Sequence, residues 1–273
     1  RDGALHAIEL QIEGGFSQLA AAIKKGYGKS PRKLTEQQLL DIDAMLHGAV
    51  IPNIPQIVKE AVFAQRQDVD NMSGAYEEIL EKQAQQFEAE ADALRASGDK
   101  QKASEADDLA AKAWALRNII IGNQGEYITR SYRVMHFFKN GTAVDSMEAL
   151  IKETTLGARD ITILMKRNND LAPEIRALFG EYHVPFINYA RTMKKMGHLI
   201  ANTLFLENVR KIGLDPDNKN WSIDDTDGRF LWAEGEPRPP EARVMMAPDG
   251  SDIMGALAGL YTFPEVKQAF DDA

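Results

Sequence analysis

Residues 72–121 read as two long helices joined by a turn, and this unit constrains the fold more than any other stretch. Over 72–96 the chain is rich in Glu, Ala and Gln, with Tyr76, Ile79, Leu80, Phe87 and Leu94 along one side. Ser97-Gly98-Asp99 supplies the turn, glycine being the residue that takes the left-handed conformation on which helices end. Residues 100–121 return, closing on the apolar Trp114, Leu116, Ile119, Ile120 and Ile121. Two antiparallel helices on a tight turn form an αα-hairpin, here about 35 Å long at ~1.5 Å per residue. Its tip, 95–102, is polar and is expected to project into solvent, either as an arm for a protein partner or as a solvated hairpin with none.

Helical spacing dominates most of the first 210 residues. Leu5, Ile8, Ile12, Phe16, Leu19 and Ile23 fall at steps of three or four, one apolar stripe over 4–25. Gly14-Gly15 interrupts the stripe at a cost of about 1 kcal/mol per glycine against alanine, which predicts a kink or break. Glycines and Pro31 end the helix near residue 28. Thr35 opens the next one, with Gln38 as its capping-box partner and Leu39, Leu40, Ile42, Met45 and Leu46 on the core side. Residues 50–55 hold two prolines and connect to a further helix from about Gln56. Helices are expected again over 144–166, from 172, and over 185–211, where Phe186, Tyr189, Met193, Met196, Ile200 and Leu204 step along one face and Arg191, Lys194 and Lys195 lie off it.

Beyond Gly213 the texture changes. Asp215 to Asn220 is a turn cluster, 229–232 and 243–247 are short strand-like runs, 235–240 is loop, and a last helix starts near Pro264. The expected fold is mainly α: a helical domain over 1–213 carrying the hairpin 72–121, then a small loop-rich appendage over 214–273 with short strands.

The chain has 273 residues, 44% of them apolar and 27% charged. That length buries roughly 70–75% of the unfolded surface, so a core needs no covalent staple. With no cysteine, disulfide frameworks, cysteine-ligated metals and thiol nucleophiles are excluded. No apolar run approaches the ~20 residues that span a bilayer. Residue 1 is Arg, and the chain is expected to be a piece of a longer protein or a processed one.

The net charge of −9 is unevenly placed. Residues 68–108 hold twelve acids against four bases and 215–252 ten against four, whereas 126–211 hold thirteen bases against nine acids. An acidic chain is kept away from bulk nucleic acid, because phosphate attraction follows the cations presented. The central segment still carries the residues for a local basic face.

No spacing points to catalysis or to a cofactor. His6, His47, His136, His183 and His198 show no zinc pattern, and the hairpin carboxylates include no E-x-x-H. Asp215-x-Asp217 opens like a calcium loop but has Asn220 where glycine is required. Gly26-x-Gly28-Lys29-Ser30 imitates the end of a phosphate loop without its first glycine or preceding strand. The expectation is a non-enzyme without cofactor or metal.

Over 127–139, Arg130, Arg133 and Lys139 interleave with Tyr127, Tyr132, Phe137 and Phe138. Basic and aromatic residues together serve phosphate neutralisation and base stacking. Arg191, Lys194 and Lys195 extend the candidate nucleic-acid set. The same pattern describes an amphipathic segment with its aromatics inward and its cations in ion pairs, and both readings stay open here.

Three phrases occur in order: Gly125-Glu126-Tyr127-Ile128-Thr129-Arg130-Ser131-Tyr132-Arg133; Asn188-Tyr189-Ala190-Arg191-Thr192 through Met196-Gly197-His198-Leu199-Ile200-Ala201-Asn202; and Leu257-Ala258-Gly259-Leu260-Tyr261-Thr262-Phe263-Pro264-Glu265. Together, over roughly residues 120–273, they resemble a stretch of the very large polyvalent proteins of bacteriophages and mobile elements. More loosely, the stretch is similar to the internal core, or DNA-ejection, proteins of short-tailed phages. The resemblance implies a virion-carried structural protein that leaves the capsid with the genome and acts at or just inside the host envelope. Its implied partners are other virion proteins, other parts of its own parent chain, a second copy of itself, or DNA. It carries no active-site residue to this chain. A nucleic-acid-binding module and a helical protein–protein adaptor are the alternative functions.

Overall fold

The computed structural model describes residues 2–122, 183–217, 228–245, 255–257 and 259–271. Among these lie six α-helices: α1 (Asp2–Tyr27), α2 (Glu36–Leu46), α3 (Gln56–Ser97), α4 (Lys100–Gly122), α5 (Pro185–Leu214) and α6 (Pro264–Asp271). A small antiparallel sheet joins β1 (Leu231–Trp232), β2 (Arg243–Val244) and β3 (Tyr261–Thr262) in the order β1-β3-β2. The protein is mainly α with a small sheet near its C-terminal end, as the spacing predicts. It forms two compact units, 2–199 and 200–273, and the division falls within α5.

In the first unit α1 runs through Gly14 and Gly15 without a break. Gly15 is buried, and a Cβ there would lie 2.7 Å from the Tyr189 hydroxyl and 2.8 Å from its ring. The glycine therefore admits an aromatic ring from α5 instead of kinking the helix. Gly197 does the same in reverse, where a Cβ would collide with Ile8 of α1. Leu19 and Ile23 of α1, Ile42 and Leu46 of α2, Val58 and Val62 of α3, and Tyr189 and Met193 of α5 are all fully enclosed. The predicted capping box opens α2: Thr35 Oγ1 accepts from the Gln38 amide at 3.2 Å, and Thr35 N donates to Gln38 Oε1 at 3.0 Å.

The hairpin is longer than its sequence pattern suggests. The helix expected from Gln56 and the one expected from Met72 are a single 42-residue helix, about 63 Å long at ~1.5 Å per residue. Its first half packs on α1 and α2 and its second half on α4. Gly98, at φ 90°, ends α3 with Asp99 N bonded to Leu94 O at 3.0 Å, the left-handed cap that glycine favours. Asp99 Oδ1 then accepts from Lys102 N at 3.1 Å and starts α4.

Along α4 the buried residues are Ala103, Ala106, Ala110, Ala113 and Ile120, steps of three, four, three and then a full heptad of seven. The helix packs on α3, whose buried residues over the same stretch include Leu80, Ala84, Phe87 and Ala91. Polar groups close the margins: Trp114 Nε1 donates to Glu88 Oε1 at 2.8 Å, and Arg117 pairs with Glu77 at 2.9 Å and Glu81 at 3.2 Å. Near the tip, Arg95 links Asp92 and Asp107.

In the second unit Phe230, Leu231, Trp232, Met245, Leu257 and Phe263 form the core, against which Leu206, Val209, Val266 and Phe270 pack. Trp232 and Phe263 meet edge to face at 5.0 Å. Leu231 pairs with Thr262 and Arg243 pairs with Thr262 from the other side. The central strand β3 lies in a stretch where the sequence pattern signals only the helix after it. A two-residue strand has no periodicity to read, and Thr262 Oγ1 anchors it by donating to Phe230 O at 2.7 Å. Helix α6 begins at Pro264, as expected.

Candidate functional site

Where helices α1, α2, α3 and α5 pack, they enclose one carboxylate and half-bury a second, each held by a residue from the head of α5. The first is Asp43, 1% exposed. Asn188 Nδ2 donates to its Oδ1 at 2.8 Å, while His47 Nδ1 and His183 Nδ1 face its Oδ2 at 3.7 and 3.4 Å. His47 Nδ1 also lies 2.8 Å from the Asp43 backbone oxygen. A carbonyl only accepts, so this nitrogen carries a proton. Arg66 of α3 closes the end of α2, donating to Leu46 O at 2.8 Å.

The second carboxylate is Asp68 of α3. The Tyr189 hydroxyl donates to its Oδ2 at 2.8 Å and Gln11 Nε2 to its Oδ1 at 3.1 Å. Burial, reinforced by the neighbouring carboxylate, pushes the Tyr189 hydroxyl far above the usual tyrosine range, so it stays a neutral donor. Beside it, Gln65, fully buried, donates to Gly15 O at 3.1 Å.

Buried polar groups cost stability unless paired, and a helix seated wrongly would strand several of them. The arrangement fixes the rotation and height of α5 against α1, α2 and α3, the registry role that buried polar contacts serve best. Among the described residues no group of three or more His, Asp or Glu is arranged to hold a metal ion. None of the described helices is long and apolar enough to cross a membrane.

Of the six cations singled out for nucleic acid, Arg130, Arg133 and Lys139 lie outside the described residues. Arg191, Lys194 and Lys195 sit on α5, each half-buried. Lys194 Nζ lies 3.6 Å from Glu9 of α1. Sequence reasoning missed the Asp43 cluster because His183 stands 140 residues away. The one local signal is Asp43-x-x-x-His47, a spacing that puts both side chains on one helix face.

No protein-family model matches the chain, and no curated protein or solved structure matches it either.

Proposed function

We propose that this chain is a non-enzymatic helical scaffold segment of a phage internal virion protein of the ejection type, acting through assembly. The observation that supports this reading best is the α3–α4 arm. Its alanine-lined heptad seam suits close, rigid antiparallel packing, and its polar flanks and charged tip suit a contact element. The phrases around Tyr127, Tyr189 and Tyr261 supply the virion context by resemblance. The first unit devotes buried Asp43 and half-buried Asp68 to helix registry, which is what a rigid support for such an arm requires.

A DNA-handling role predicts a different behaviour in solution. Fluorescence anisotropy of labelled single- and double-stranded DNA, titrated with the chain from about 50 to 200 mM salt, separates the two. A scaffold that acts by assembly leaves the anisotropy unchanged, in keeping with a net charge of −9. Binding that falls steeply with salt overturns assembly as the sole mode of action and transfers the function to the basic centre.

A further inference from the structure

We propose that Asp43, His47 and His183 form an acid-tightened clasp, through which the seating of α5 on α2 strengthens as the pH falls from about 8 to about 6. The proposal does not rest on the assembly reading.

The Asp43 carboxylate is buried, and a buried carboxylate requires compensation. Asn188 supplies one neutral hydrogen bond to Oδ1. Among the described residues, the only groups facing Oδ2 that can carry positive charge are the two imidazoles. Among the described residues, ionisable groups on the packed helices have the following contacts. Arg66, from α3, donates to Leu46 O. Asp41, on α2, acts on Tyr27 at the end of α1. Asp68, on α3, is held by Tyr189 and Gln11, and Lys194, further along α5, pairs with Glu9.

Of the two imidazoles, His183 is the one that takes the extra proton. Its ring nitrogen is nearer to Oδ2, and its side chain is 38% exposed against 7% for His47, so charging it costs less desolvation. His47 is already committed to the Asp43 carbonyl.

The sign follows from linkage. In the unfolded chain His183 and Asp43 are far apart and the imidazole titrates near ~6.5. In the fold the adjacent carboxylate favours the imidazolium. The fold therefore binds this proton more tightly, and the added stability is present below the unfolded value and lost as pH rises through the folded one. The partial exposure of His183 screens the pair, so the effect is modest.

The test compares the full chain with His183→Gln, which keeps a neutral donor and removes the titration. Between pH 8 and pH 6 the thermal midpoint of the parent chain is expected to rise about 2–4 °C more than that of the variant. Equal shifts in the two proteins overturn the clasp. Should the variant fail to fold, the NMR titration of the His183 ring in the unmodified chain decides. A midpoint above the ordinary ~6.5 supports the clasp, and one at or below it overturns the proposal.

Discussion

Tyr189→Ala is expected to lower the unfolding free energy by about 3–5 kcal/mol, the range for deleting a fully buried aromatic side chain. The residue is completely enclosed, rests against Gly15, lies 6.3 Å from the Phe16 ring and holds Asp68 through its hydroxyl. Truncation leaves a ring-sized cavity and strips Asp68 of its 2.8 Å donor at once. Urea denaturation measures the loss. Tyr189→Phe isolates the hydroxyl at about 1–3 kcal/mol and has a signature in pH. An unfolded tyrosine loses its proton near ~10, whereas the folded residue keeps it well beyond, so stability falls as the pH is raised past that point. The phenylalanine variant removes this residue's part of the alkaline decline. A parent chain and Tyr189→Ala variant of equal stability would show that α5 is not seated in the interior as described.

Asp43→Ala is the second large effect. The substitution removes the Asp43 acceptor from the buried Asn188 amide and the common carboxylate from both histidines. Each buried donor that loses its partner costs about 1–3 kcal/mol, so a total of about 2–4 kcal/mol is expected. Asp43→Asn keeps the volume and one acceptor oxygen, and is expected to recover a substantial part of the loss. Chemical denaturation of the pair measures both. An alanine variant as stable as the asparagine variant would mean that the carboxylate's oxygens make no net contribution to the packing of α2 on α5.

Local chemistry was readable where it is written in adjacent residues. Ser97-Gly98-Asp99 marks the hairpin turn because only a residue tolerant of positive φ closes α3 there. Thr35 and Gln38 mark the start of α2, and Pro264 the start of α6, for equally local reasons. The joins were harder. The apolar steps of α3 persist from Val58 to Ala91 and run straight through Ser73-Gly74 beside Met72, so the division of this stretch into two helices does not correspond to a physical break. Gly14-Gly15 reads as a weakness until the partner is known, and Tyr189 is 174 positions away from Gly15. The same holds for Asp43 with His183 and Asp68 with Tyr189. Their spacing within α2 and α3 is ordinary, and their meaning arises only when α5 packs against them. Gln11, on the first helix, reaches Asp68 for that reason alone.

The functional reading turns on the arm, and one measurement addresses it most directly. Removing residues 91–97 and 100–106 takes one heptad from each helix and keeps the remaining faces in phase, shortening the arm without touching the Asp43 and Asp68 clusters. Peptide mass spectrometry of gradient-purified virus particles would compare incorporation of the parent chain with that of the shortened one. Assembly through the arm predicts peptides of the parent chain in the particles and a marked loss for the shortened chain, whose thermal unfolding remains cooperative. A parent chain missing from the particles, or a shortened chain incorporated as well as the parent, would contradict it.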